Sequence, residues 1–116
     1  MATIPIEFID CSVIWNCRHI DLPFPIKDAF VVGKTIIVLF KQDAADLGKS
    51  FQNLIALDSN GSQLWIAALP EVQINGIADA YLQIVSREPL IVYTWSGYDC
   101  TIDIATGKIL KQQFTK

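Results

Sequence analysis

The residues able to do chemistry are few and scattered. His19 is the single histidine, and Cys17 lies two positions before it. A thiol activated by an imidazole needs the two groups within hydrogen-bond reach. On one strand, positions two apart share a face at about 7 Å between Cα atoms, with side chains running parallel rather than converging. The expectation is a core thiol beside a polar strand end, not a dyad. A zinc site would recruit Cys11, Cys17, His19 and Cys100. A straight strand holds Cys11 and Cys17 about 20 Å apart, and tetrahedral zinc with Zn–S bonds of about 2.3 Å cannot bridge that. The alternation Cys11, Val13, Trp15, Cys17 reads instead as an apolar stripe facing a core.

Paired carboxylates are the other catalytic option. Asp43 and Asp46 fall in the polar segment QDAADLGK, where solvated charge is the ordinary state. Asp103 heads a turn and is expected to accept from that turn's amides. Asp99 is more open, because it follows Trp95-Ser96-Gly97-Tyr98 at a hairpin tip. Aromatic and acidic groups on loops are common at recognition surfaces. Tyr98 and Asp99, with Asp43 and Asp46, are therefore the candidate partner-binding residues. The six glycines stand singly at turns and loops, so no phosphate-cradling segment is present. No residue is assigned a catalytic, cofactor-binding or metal-binding role, and no cofactor is expected.

The elements that must position these groups follow a period of two. Thr35–Phe40 (TIIVLF) is a continuous β-branched and aromatic run, which reads as a strand buried on both faces. Leu90–Trp95 (LIVYTW) is its twin. Turn signals recur at Gly33-Lys34, Ser59-Asn60-Gly61, Glu88-Pro89, Ser96-Gly97 and Thr106-Gly107. This spacing predicts an all-β domain with strands near 11–19, 27–32, 35–42, 51–58, 62–69, 80–86, 90–96, 98–104 and 108–115. Two longer connections remain, 42–49 with room for one helical turn, and 71–79 (EVQINGIAD).

Landmarks repeat after roughly fifty residues. One copy, about 15–65, runs from Trp15 through Leu22-Pro23, Asp28-Ala29-Phe30 and the 35–40 strand to Ala56-Leu57-Asp58 and Trp65. The other, about 65–115, runs from Trp65 through Leu69-Pro70, Asp79-Ala80-Tyr81 and the 90–95 strand to Asp103-Ile104-Ala105-Thr106-Gly107. Each copy reads as a four-stranded antiparallel meander. The Asp and Gly make a tight turn, the Trp anchors a strand start, and Leu-Pro ends it.

The segments Ala56–Trp65 and Thr101–Lys111 resemble the Ala-x-Asp-x-x-Thr-Gly-x-x-x-Trp blade motif of pyrroloquinoline-quinone-type β-propellers. The first is one residue short, and the second has Lys111 where the motif has Trp. The resemblance implies strand order only; no cofactor chemistry carries over to a residue here. The expected architecture is two tandem blade-like meanders plus an N-terminal strand, a half-propeller or open sandwich.

Composition bounds the rest. One hundred and sixteen residues make a single domain, 1–116, able to bury about two thirds of its surface. The chain is 52% apolar and 18% charged, which excludes disorder. A net charge of −3 excludes binding through phosphate neutralisation. The first ten residues lack a signal-peptide pattern, no apolar run is long enough to span a membrane, and three cysteines cannot all pair. The expected compartment is the cytoplasm.

Two sheets cannot close a ring, so the expected partners are proteins or further copies of the chain, with no nucleic acid and no membrane. The leading expectation is a non-enzymatic interaction module, of which an immunity- or inhibitor-like role is one form. Asp43, Asp46, Glu71, Asp79 and Asp99 would steer a basic partner. The alternatives are a small-molecule pocket between the sheets lined by Trp15, Trp65 and Trp95, or an enzyme.

Overall fold

A continuous apolar strand is stable only when both of its faces are covered, because successive side chains point to opposite sides. The computed structural model describes residues 6–44, 50–70 and 78–115 and supplies both covers for Thr35–Phe40. Ile37 and Leu39 enter one hydrophobic cluster, while Ile36, Val38 and Phe40 enter another on the opposite face.

Three antiparallel sheets produce this arrangement. The first holds β1 (Glu7–Ile9), β2 (Ser12–Trp15) and β3 (Arg18–Asp21). The middle sheet holds β4 (Ile26–Val32), β5 (Thr35–Phe40), β6 (Leu54–Leu57) and β7 (Gln63–Ile66). The last holds β8 (Tyr81–Ser86), β9 (Leu90–Thr94), β10 (Tyr98–Ile102) and β11 (Ile109–Phe114). The strands follow chain order within each sheet, so each is a meander. The fold is all-β, and the two four-stranded meanders read from the sequence are present and unclosed. Val13, with Phe8 and Ile20, packs on the middle sheet from one side. Tyr81, Leu90, Val92, Cys100 and Ile102 pack on it from the other. The three sheets therefore stack face to face.

The N-terminal region departs from expectation. A single strand over 11–19 is replaced by two short strands joined at Asn16 and Cys17, both with positive φ (52° and 63°). Two successive left-handed residues make the tight turn that matches strand twist. Asn favours that conformation, whereas Cys17 gives no compositional sign of it. The segment is thus a sheet of its own, not an extension of another.

The repeat is visible in matching local bonds. Asp28 and Asp79 each accept the amide of the following alanine. Asp58 accepts from the amides of Asn60 and Ser62, and Asp103 accepts from the amide of Ala105 and the hydroxyl of Thr106. Gly61 and Gly107 close the two turns at φ of 89° and 76°. The anchor is shifted from where the sequence suggests. Trp65 on β7 lies against Gly107, where an added Cβ would sit 2.6 Å from the indole. Its Nε1 donates to Ile104 O at 2.7 Å. Against Gly61 the corresponding side chain is Ile20 on β3, not Trp15. Trp15 Nε1 is enclosed without a partner among the described residues.

Candidate functional site

The hairpin end holding Tyr98 and Asp99 is built by β9, β10 and β11. Thr94 is fully buried, its hydroxyl lies 2.9 Å from the Ser96 hydroxyl and it accepts the Tyr98 amide. Asp79 is buried and accepts from the amide and the hydroxyl of Ser96. These bonds fix the turn and leave Trp95 60% exposed. The sequence places Trp95 at the end of a buried strand; the chain turns one residue earlier and carries the indole outward.

Tyr98 and Asp99 are neighbours in sequence and face opposite sides of the sheet. Tyr98 lies on the side of Cys100 and Ile102 and meets Phe114 edge-on, with ring centroids 5.3 Å apart. Asp99 stands opposite Tyr93 on β9 and Gln113 on β11. The next cross-strand row on that face is Ile91, Thr101 and Lys111. The face of the last sheet turned away from the middle sheet thus has half-buried Ile91 and Tyr93 at its centre, with Gln83, Asp99, Thr101, Lys111 and Gln113 as cross-strand neighbours. This is the distribution of an interface patch, an apolar centre with a polar rim.

Among the described residues, the acidic candidates Asp43 and Asp79 do not join it. Asp43 sits on a 3-10 turn (Gln42–Ala44), beside Lys27 and Lys41 around a shallow depression of about 310 Å³. Asp46 and Glu71 lie outside the described residues. Asp79 is 4% exposed and spent on structure, so it cannot steer a partner.

Nor do the cysteine and histidine groupings assemble. Cys17 occupies an exposed turn, and His19 Nε2 pairs with Asp21 Oδ1 at 3.2 Å. No group of three potential metal ligands forms among the described residues. The Cys100 thiol is fully buried, and burial pushes it up to about 11. The neighbouring Tyr81 hydroxyl is also raised, chiefly by burial and then by Cys100. Both groups stay protonated, and the Tyr81 hydroxyl donates to Ala68 O.

The three tryptophans do not line a common pocket. Trp65 fills the space between the middle and last sheets, Trp15 packs in the cluster on the other side, and Trp95 faces solvent. An apolar cleft lies elsewhere, between the 22–24 connection that follows β3 and the middle sheet, with a volume of about 360 Å³. Phe24, Phe40, Phe51, Leu57, Gly61 and Ile66 are among its walls. Sequence reasoning missed it, because the phenylalanines come from three separate segments and show no shared period.

Comparison with known proteins adds the fold context. The chain is similar in structure to a computationally designed protein, Ika8, at 12% identity and a TM-score of 0.56. The match covers 93% of this chain and 35% of that one, so the chain spans about a third of its length. At this identity the likeness concerns the fold alone. No curated protein matches the chain in sequence. A family model does match it over residues 3–114, and the chain belongs to that family, described as a domain of unknown function (DUF7957).

Proposed function

We propose that this protein is a non-enzymatic interaction module that binds a protein partner through the outer face of its last sheet. The observation that carries the reading is Trp95, 60% exposed at the end of a face whose centre is Ile91 and Tyr93. Tryptophan and tyrosine dominate binding energy at protein interfaces, and an exposed indole costs solvation that a partner would relieve. Asp99 and Lys111 at the rim give the face charges of both signs, which set register more than affinity.

The propeller-like reading of the sheets belongs to this proposal and is supported by the Trp65 contact on Gly107. A cytoplasmic location belongs to it too, supported by three free thiols, one of them exposed. An immunity- or inhibitor-like role is one form that such a module takes.

The test is affinity capture from a lysate of the native host, comparing the wild-type chain with Tyr93→Ala/Trp95→Ala. The reading expects a discrete protein, or further copies of the chain, held by the first and lost from the second. Identical capture by both, with both strictly monomeric in light scattering, would refute it.

A further inference from the structure

We propose that the cleft between the 22–24 connection and the middle sheet accepts an aromatic side chain from an extended peptide that pairs with the outer edge of β7. This surface is separate from the outer face of the last sheet and goes beyond the reading above.

The chain itself shows what fits such a place. Between the middle and last sheets, the indole of Trp65 lies on Gly107 and donates to Ile104 O. One sheet earlier, the matching glycine is Gly61, and the residue on it is Ile20, whose atoms stand 3.1–3.3 Å from an added Cβ. Isoleucine has neither the rings nor the N–H of an indole. The seat on Gly61 therefore lacks the aromatic volume that the seat on Gly107 contains, and a cleft remains open along Gly61, Leu57 and Ile66. Its far wall is aromatic. Phe24 meets Phe51 and Phe40 edge-on at 4.9 Å and 5.5 Å, a geometry that extends readily to another ring.

Among the described residues, no strand covers the backbone beside the cleft. Among the described residues, β7 pairs only with β6. Ala67 N donates to Leu54 O, and the next pair along is Ile66 with Ile55. Bonded and non-bonded pairs alternate in an antiparallel ladder, so the Ile66 N–H and C=O point away from β6. Ile66 thus offers main-chain groups to an added strand while its side chain, 45% exposed, forms part of the cleft wall. A strand added here would carry alternate side chains over the cleft.

The test titrates the full chain with acetylated, amidated six-residue Ser/Thr peptides bearing one central Trp, Tyr, Phe or Ala. Amide and methyl NMR shifts are followed, and N-acetyltryptophanamide serves as the small-molecule control. The Trp peptide is expected to shift the Ile66 amide and the Leu57 and Ile66 methyls, and to bind about tenfold or more tighter than the Ala peptide and the control. Ile66→Trp, which fills the cleft mouth at a partly exposed position, is expected to remove about tenfold of that affinity with an otherwise unchanged spectrum. Ile20→Trp, which restores the indole beside Gly61, is expected to weaken binding in the same direction. Tyr93→Ala/Trp95→Ala leaves this binding unchanged, so failure here is distinguishable from failure of the outer-face reading. Equal binding of the Trp and Ala peptides would overturn the proposal. So would equal binding by the control without a shift at the Ile66 amide, or undiminished binding by a folded Ile66→Trp.

Discussion

Asn53 carries three hydrogen bonds where no solvent can replace them. Its Nδ2 donates to Phe40 O and Tyr81 O, and its Oδ1 accepts from Tyr81 N. One fully buried amide thereby ties the middle sheet to the last. Asn53→Ala leaves the Tyr81 amide without its acceptor and is expected to cost about 2–3 kcal/mol in urea unfolding. A loss under about 0.5 kcal/mol would mean that water takes over the role. Nothing in the sequence marked this residue, because an Asn near the start of the strand expected over 51–58 carries no sign of being buried. The Cys100–Tyr81 pair sets an alkaline limit. Both groups hold their protons more tightly when folded than the ordinary values of 9.0 and 10.0 allow. The unfolded chain therefore releases protons first as pH rises. Stability is complete below about pH 9 and falls above it, the Cys100 share being lost by about pH 11 and the Tyr81 share falling further, with a slope of at most about 1.4 kcal/mol per pH unit per group. Cys100→Ala is expected to flatten this limb between pH 9 and 11; equal slopes in the two proteins would contradict the account. Cys17, exposed in its turn, is expected to react with a thiol reagent in the folded protein, and Cys100 only on unfolding.

At the scale of elements, the sheets are joined by side chains from one unit seated on the turn of the next. Trp65→Ala removes both the contact on Gly107 and the bond to Ile104 O, and is expected to destabilise the chain by about 3–5 kcal/mol. Gly107→Ala places a methyl inside the indole at a positive φ and is expected to be destabilising too. The two effects should be strongly non-additive, because one contact is lost in both; additive losses would show that the seat is not shared. These turns were legible because an Asp followed three or four residues later by Gly, as in Asp58–Gly61 and Asp103–Gly107, carries a backbone requirement that few sequences meet by chance. The strands Thr35–Phe40 and Leu90–Thr94 were legible from composition. The hairpin at Asn16-Cys17 was not, since alternation continues across it without a glycine. As a result Trp15 looked like the counterpart of Trp65, a place that Ile20 holds. The phenylalanine cleft was illegible for a related reason: it exists because one docking residue is aliphatic, which matters only once the sheets are stacked.

For the whole molecule, the decisive feature is a stack with two ends. One end face carries Glu7, Ile14 and His19 in a cross-strand row, with Asp21 85% exposed beside them. The other carries Ile91, Tyr93, Asp99, Thr101 and Lys111, with Trp95 at its end. Polar outer faces allow a stack to end in water without a closing ring, so neither face needs covering for folding alone. Binding through the second face rests on its aromatic centre. The most direct measurement places a photo-crosslinking benzophenone amino acid at position 93 or, on the opposite end face, at position 14, and irradiates each chain in native-host lysate. The account predicts a discrete covalent adduct with a protein, or with a second copy, from position 93 and none from position 14. An adduct from position 14 alone, or the same adducts from both, would contradict it.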